Sequence, residues 1–281
     1  MKKKIISRYL SQETFSVVKR DFGFLVNRIK QSGFEYGLEI RDNYMNLYYK
    51  GNSLGKISYR KSKKLYEIKI HRKFVEGLGL AIKRFKYSRE KEYFIFCLEC
   101  KQLHPFFSKR NLLSMGQKVK KVQFQEEIVF EQMLVTDNAN RDDLIIIDRQ
   151  VVDRNSSTKM DLIALRRNSS GKYQFCVLEV KLGNNTELKS KVFSQLNGYM
   201  ERIARNFQQY KECYEKNALQ KQELGLLPDG FKINIAKDVL GVVVVGGYSG
   251  LAKQSIRELK AHHPAIKVLL IKNEIDLSKA R

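Results

Sequence analysis

The chain has 281 residues, of which 43% are apolar, and it carries 53 Lys and Arg against 30 Asp and Glu, a formal net charge of +23. This apolar fraction can fill a sizeable core, and the length suits two domains better than one. No apolar run approaches the ~20 residues of a membrane-spanning helix, so an integral membrane protein is not expected.

The charge is concentrated in the first part of the chain. Residues 1–120 hold 28 basic and 10 acidic side chains, whereas residues 121–281 hold 25 and 20. A surplus of this size favours a polyanionic partner, above all nucleic acid. An anionic membrane surface is less favoured, because we find no clear amphipathic helix with a broad lysine face.

The four cysteines and the first residues of the chain indicate the cellular compartment of the protein. The cysteines lie mostly in apolar, strand-like runs, which indicates reduced thiols and no disulfide framework. The opening sequence MKKKIISRYLS is basic but lacks the apolar core of a signal peptide. We therefore expect a cytoplasmic protein with no membrane partner.

The first part of the chain predicts a small α+β domain. Apolar residues recur every three or four positions over residues 14–33, which predicts one amphipathic helix ending at Gly33. Residues 34–74 alternate apolar and polar and predict a meander of three or four strands. Residues 74–92 are interpreted as helical, and residues 93–100 as either a strand or a continuation of that helix.

We place the junction between domains near Met115–Lys121. This gives a basic domain over residues 1–118 and a second domain over residues 119–281. In the basic domain, tyrosines alternate with cations in a pattern that suits phosphate contact and base stacking. The candidate nucleic-acid-binding residues are Tyr49, Lys50, Lys56, Arg60, Lys61, Lys63 and Lys64. The alternative is a lysine-covered face that only contacts solvent.

The second part predicts the element order α-β-β-β-α-β-α-β. The predicted helices cover residues 122–135, 187–216 and 249–263, and the predicted strands cover residues 142–152, 159–167, 172–181, 240–248 and 266–272. Three hairpin-linked strands followed by a helical crossover into an apolar strand predict a mixed sheet with helices packed on it.

Three charged residues lie in two neighbouring strands of this predicted sheet. Asp161 comes early in one strand, and Glu179 and Lys181 come late in the next, on one strand face. Two adjacent carboxylates repel unless a cation joins them, and hard oxygen ligands suit Mg²⁺ or Mn²⁺. Such an ion activates water, and a nearby lysine stabilises developing negative charge. The alternative is a strand-end ion pair on a solvated face.

A third carboxylate precedes the sheet. In the helix predicted for residues 122–135, Glu131 shares a face with Phe124, Ile128 and Val135, so it points toward the sheet. Glu127, one turn earlier, is its rival. A zinc half-site of Cys97, Cys100 and His104 is less favoured, because no second pair of closely spaced cysteines completes it.

Glu131, Asp161 and the run Glu179-Val180-Lys181, followed by the helix segment Gln195-Leu196-Asn197-Gly198-Tyr199, resemble the PD-(D/E)XK nuclease superfamily over about residues 122–275. Met160 stands where the family name has proline. The resemblance implies a restriction-endonuclease-like αβββαβ core with a mixed sheet, preceded here by the smaller basic domain. It also implies Mg²⁺-dependent cleavage of phosphodiester bonds, usually in DNA.

Carried over by position, Asp161, Glu179, the Val180 carbonyl and Glu131 would hold the metal, and Lys181 would assist the attacking water. Gln195 and Tyr199 would support the site or contact DNA. Many members pair to cut both strands, which would suit a homodimer. The alternative hypothesis is a non-catalytic nucleic-acid-binding protein that retains the fold.

Overall fold

A computed structural model describes residues 4–76, 84–122, 125–154, 158–229 and 232–272. The chain divides into two compact units. The first comprises residues 1–140 and 212–233, and the second comprises residues 141–211 and 234–281. The division into a basic domain over residues 1–118 and a catalytic domain over residues 119–281 stays a prediction.

The first unit contains an antiparallel sheet with strand order β1-β2-β3-β4-β6-β5. The strands are β1 (Tyr36–Ile40), β2 (Met45–Tyr49), β3 (Asn52–Arg60), β4 (Leu65–His71), β5 (Tyr87–Glu90) and β6 (Tyr93–Leu98). Alternate residues of β4 are buried, so one face of the sheet covers a core. The meander predicted for residues 34–74 is confirmed as four strands.

Helices and one short 3₁₀ turn at Lys61–Lys63 complete the first unit. The helices are α1 (Gln12–Asp21), α2 (Gly23–Gln31), α3 (Arg72–Val75), α4 (Cys100–Phe106), α5 (Lys109–Val122) and α6 (Glu126–Asp137). The core that they cover is rich in aromatic rings. The Phe22 and Tyr66 ring centroids are 5.1 Å apart, and those of Phe96 and Phe106 are 5.0 Å apart, in edge-on contacts that favour association beyond burial alone.

A late segment of the chain returns to the first unit. Gln220 is buried, and its side chain accepts a hydrogen bond from the Leu10 amide at 2.8 Å and donates one to the Leu10 carbonyl at 2.9 Å. Lys221 forms an ion pair with Glu39 at 2.6 Å. Residues 212–233 therefore satisfy polar groups of the first forty residues.

The second unit contains a mixed sheet with strand order β11-β10-β9-β8-β7. Its strands are β7 (Leu144–Val151), β8 (Met160–Arg167), β9 (Tyr173–Leu182), β10 (Ile235–Gly246) and β11 (Val268–Ile271). Strands β7, β8 and β9 pair antiparallel, and β9, β10 and β11 pair parallel. The predicted mixed sheet is confirmed, and central β9 is buried along nearly all its length.

Four helices belong wholly or partly to this unit. They are α7 (Glu187–Ser190), α8 (Val192–Arg205), α9 (Phe207–Glu223), of which residues 207–211 lie here, and α10 (Ser249–His262). Helix α8 packs closely on β10 at Gly241, where an added Cβ would come within 2.2 Å of Met200 Sδ. Among the described residues, no helix is both long and apolar enough to cross a membrane.

Several predicted helices differ from those observed. The helix predicted for residues 14–33 is interrupted at Phe22, which ends α1 and precedes α2. The helix predicted for residues 187–216 is interrupted at Lys191 and Asn206. These residues fit a helical pattern, so periodicity alone does not predict the interruptions.

One further prediction is wrong, and the predicted junction between domains falls inside a helix. Residues 87–90 form strand β5 and not a helix, because they pair with β6 in the register Tyr87↔Phe96; residues 77–83 of that predicted helix lie outside the described residues. The predicted junction near Met115–Lys121 lies within helix α5, whose Met115 and Val119 are buried in the core. Residues 93–98, for which the sequence allows either a strand or a helix, form strand β6.

Candidate functional site

Asp161 and Glu179 lie on neighbouring antiparallel strands of the second unit. The pairing Leu162↔Leu178, continued by one residue, places Asp161 opposite Glu179, so their side chains share a face of the sheet. Asp161 Oδ2 accepts a hydrogen bond from the Val180 amide at 2.9 Å. This bond fixes the half-buried Asp161 carboxylate against the backbone between Glu179 and Lys181.

Glu179 and Lys181 form a buried ion pair in β9. Lys181 Nζ lies 2.9 Å from Glu179 Oε1, and the side chains are 6% and 2% exposed, respectively. A second carboxylate, Glu187 Oε2 on α7, lies 3.3 Å from the same nitrogen. Because charged groups are costly to bury in a central strand, this arrangement depends on mutual pairing.

Helix α8 covers the same sheet face as the ion pair. In the parallel register, Glu179 lies beside Val243 and Lys181 beside Val245, while Val177 lies beside Gly241. The Cβ direction of Gly241 points at Leu196 and Met200 of α8. Because residues two apart in a strand point the same way, the side chains of Glu179 and Lys181 point toward the helix side of the sheet.

Tyr199 of α8 belongs to this cluster. Its ring is buried, and its hydroxyl donates a hydrogen bond to the Lys159 carbonyl at 2.6 Å, at the start of β8. Burial raises the pKa of Tyr199 to about 12, with a further contribution from the negative charges of Glu179 and Asp161. The hydroxyl is therefore a neutral hydrogen-bond donor at physiological pH.

Gln195 lies one turn before Tyr199 on α8. Its Oε1 atom is buried and has no hydrogen-bond partner among the residues that the structure describes. A buried carbonyl oxygen in this state is uncommon and favours a polar ligand or water nearby. Asp161, Glu179, Lys181 and Tyr199 are thus brought together, with Gln195 one helical turn away from Tyr199.

Two residues of this region gave no sequence signal. Glu187 approaches Lys181 through the short helix α7, and Arg202 of α8 lies 5.7 Å from the Tyr199 ring while contacting Asp153 at 3.5 Å. Asp153 is buried and also accepts a hydrogen bond from the Tyr210 hydroxyl at 2.8 Å. Glu187 and Arg202 both lie on helices that contain other charged residues, so the sequence does not single them out.

Glu131 lies on α6 in the first unit, where it is 2% exposed. Its rival Glu127 is half-buried on the same helix. The helix is confirmed over residues 126–137, and Phe124, used to define its face, lies outside the described residues. A contribution of Glu131 to the metal site stays a prediction.

The candidate nucleic-acid-binding residues of the first unit fall into three groups. Tyr49 is 3% exposed and packs on Tyr36 with ring centroids 4.7 Å apart, so its ring is not available for stacking on a base. Three cations have acidic partners: Lys50 pairs with Glu35, Arg60 with Glu67 and Lys61 with Glu13. Lys56, Lys63 and Lys64 are exposed, and Lys56 lies 4.1 Å from the Tyr44 ring.

The donor set suits a hard divalent cation. Two carboxylates and the Val180 carbonyl are oxygen ligands of the kind that Mg²⁺ takes while it keeps several waters. No cluster of three or more Asp, Glu, His or Cys side chains that could hold a metal occurs in the part of the chain that the structure describes. Any metal held by Asp161 and Glu179 would therefore complete its coordination with water or substrate.

Comparison with known proteins found no match to this chain among family models, curated proteins or solved structures. We therefore interpret the cluster from its own residues. It combines a backbone-anchored carboxylate, a buried carboxylate–lysine pair and a neutral tyrosine hydroxyl. Buried ionisable groups with a specific charge partner make the cluster a candidate functional site.

Proposed function

We propose that the chain is a Mg²⁺-dependent nuclease that hydrolyses phosphodiester bonds in DNA. The single observation that carries the proposal is the buried Glu179–Lys181 pair beside Asp161 at one end of a mixed sheet. A buried ion pair in a central strand is weak evidence for stability, whereas carboxylates beside a lysine suit a metal and a phosphate. The proposal includes a restriction-endonuclease-like core in the second unit, of the PD-(D/E)XK type.

In this proposal, Asp161, Glu179 and the Val180 carbonyl hold Mg²⁺, or Mn²⁺ in its place, and Glu131 is a further candidate ligand. The ion supplies charge neutralisation and acidifies a bound water. Lys181, held by Glu179 at 2.9 Å, donates hydrogen bonds to the attacking water or a phosphoryl oxygen. Tyr199 anchors the start of β8 through the Lys159 carbonyl, and Gln195 offers a buried amide to the substrate.

A second candidate function is a non-catalytic nucleic-acid-binding protein. The net charge of +23 favours it equally, and the described residues contain no group of three or more Asp, Glu, His or Cys side chains that could hold a metal. Homodimerisation to cut both strands, and a cytoplasmic location, belong to the nuclease proposal as further predictions.

The decisive experiment measures cleavage of supercoiled plasmid, single-stranded DNA and RNA with Mg²⁺, Mn²⁺ or EDTA. Asp161→Asn keeps the size and a hydrogen-bond acceptor but removes the charge, and we expect cleavage to fall by about 100-fold or more. Asp238→Asn, an exposed carboxylate on β10, is the matched control and is expected to cut at the native rate. Metal-independent cutting, or full activity in Asp161→Asn, would refute the nuclease proposal; salt-sensitive binding without cutting would favour the second candidate.

A further inference from the structure

Helix α5 presents a face with a pair of cations at each end. The helix has the sequence KRNLLSMGQKVKKV and contains no acidic residue. At ~100° per residue, its exposed side chains fall within an arc of about 120°. This α5 face consists of Lys109, Arg110, Leu113, Gln117, Lys120 and Lys121. The sequence pattern predicts a domain junction near Met115–Lys121 and gives no sign of this surface.

The cations of the α5 face differ from those of the β3–β4 region in their partners. Lys109, Arg110, Lys120 and Lys121 have no ion pair within the described ranges of the chain. Lys50, Arg60 and Lys61 each have a glutamate partner, so their charges are largely compensated locally. Uncompensated cations release the counterions of a polyanion without first breaking an internal ion pair.

The opposite side of α5 fixes the helix to the sheet of the first unit. The Tyr36 hydroxyl donates a hydrogen bond to the Leu112 carbonyl at 2.9 Å. Gly116 lets the helix approach the aromatic rings, because an added Cβ would lie 2.9 Å from Tyr49 Cζ. Met115 and Val119 are buried in the core. The α5 face is therefore presented on a firmly held element.

We propose that the α5 face is the surface that binds the phosphate backbone of nucleic acid. Lys109 and Lys121 are about 18 Å apart along the helix axis, which matches roughly five base-pair steps of a duplex. This surface would hold the substrate of the proposed nuclease. The inference depends on the substrate being nucleic acid, and it does not depend on cleavage.

An anionic bilayer fits this face less well. A helix that lies on a membrane inserts its apolar side into the acyl region. The apolar side of α5 is buried against the sheet, and Leu113 is the single large apolar side chain on the α5 face. One leucine gives little insertion, whereas a pair of cations at each end of the face suits contact with separated phosphates of a backbone.

The test compares two charge-matched variants of the full chain. In the first, Lys109, Arg110, Lys120 and Lys121 are each changed to Gln. In the second, Lys19 is changed to Gln together with three cations that the sequence predicts to bind nucleic acid, Lys50, Arg60 and Lys61. All four have glutamate partners, so this variant tests the rival surface. Both variants lower the formal net charge by four. Binding to a fluorescent DNA duplex is measured in EDTA between 50 and 200 mM salt, with circular dichroism and thermal melting as controls of folding.

We expect the first variant to lose about tenfold or more in affinity and its salt slope to fall by about 3 to 4, at ~0.9 per phosphate contact. The second variant is expected to change much less. Equal losses in both variants would overturn the proposal in favour of net charge alone, and so would an unchanged salt slope in the first.

A further experiment measures binding of both variants to vesicles of phosphatidylserine and phosphatidylcholine. Loss of vesicle binding with retained DNA binding in the first variant would assign the α5 face to membranes and overturn the proposal. Because the readout is binding in EDTA, failure of this proposal is separate from failure of the nuclease proposal, which is read by metal-dependent cleavage and Asp161→Asn.

Discussion

Lys181 is the residue on which the candidate site depends most. Its nitrogen lies 2.9 Å from Glu179 and 3.3 Å from Glu187, in a strand whose other residues are almost all apolar. A buried ion pair of this kind contributes little net stability, because the loss of hydration offsets the attraction between the charges. The pair is therefore better explained by chemistry than by folding.

This argument predicts a separation of stability from activity. Lys181→Met leaves the Glu179 carboxylate without its cation, and we expect it to cost about 3–5 kcal/mol of the free energy of unfolding. Lys181→Met combined with Glu179→Leu removes both charges and is expected to recover most of that loss, while metal-dependent cleavage stays abolished. Urea unfolding of the two single variants and the double variant, analysed as a double-mutant cycle, measures this.

Additive losses in that cycle would mean that the two side chains do not stabilise each other, contrary to their 2.9 Å separation. An active double variant would show that the pair is structural. Asp238→Asn on exposed β10 serves as the control, since a surface change is expected to move stability by no more than about 0.5 kcal/mol.

Part of the site could be predicted from the sequence because charged residues stand out in apolar strands. Asp161, Glu179 and Lys181 interrupt runs of Leu, Ile and Val, and strand alternation determines which of them share a face. Glu187 and Arg202 lie on charged helices, and the turns that precede those helices position them. No periodicity in the sequence predicts the contact of Glu187 with Lys181 or of Arg202 with Tyr199.

At the scale of elements, strands were predicted better than helix ends. Strands β1–β4 and β7–β9 alternate or are uniformly apolar, so their pattern follows directly from burial. The helix ends at Phe22, Lys191 and Asn206 occur at residues that a helix tolerates, so no local pattern marks them. Strand β5 is exposed at every position and is defined by its pairing with β6, which no local pattern reveals.

Two glycines in helices provide a matched test of packing. Gly116 of α5 faces the Tyr36 and Tyr49 rings, whereas nothing lies within 4 Å of an added Cβ at Gly198 of α8. Gly116→Ala must displace a ring and is expected to cost about 1–3 kcal/mol. Gly198→Ala is expected to stabilise by about 0.5–1 kcal/mol, because alanine is the better helix former. Thermal melting of both variants checks the sign, and a stabilising Gly116→Ala would contradict the close contact.

At the scale of the whole molecule, the first unit is assembled from two separated parts of the chain. Residues 1–140 lack the Gln220 side chain that pairs both polar groups of Leu10, and they lack the Lys221 partner of Glu39. We expect a fragment of residues 1–140 to be less stable by about 3 kcal/mol or more than the same fragment joined by a flexible linker to residues 212–233.

Urea unfolding followed by circular dichroism measures that difference. The control joins residues 212–233 carrying Gln220→Ala and Lys221→Ala, which is expected to restore only part of the stability. Equal stability of the fragment with and without the returning segment would show that these contacts add nothing.

The returning segment also has a consequence for synthesis on the ribosome. The first unit ends its first part at residue 140 and its second part at residue 233. Residue 233 therefore leaves the ribosome 93 residues after residue 140. At translation rates of ~5–20 residues per second, that interval is about 5 to 20 s. For most of this interval the Leu10 backbone lacks its Gln220 partner, while residues 141–211 emerge. Slowing translation over residues 141–211 would therefore lengthen exposure of the nascent first unit to proteases and chaperones.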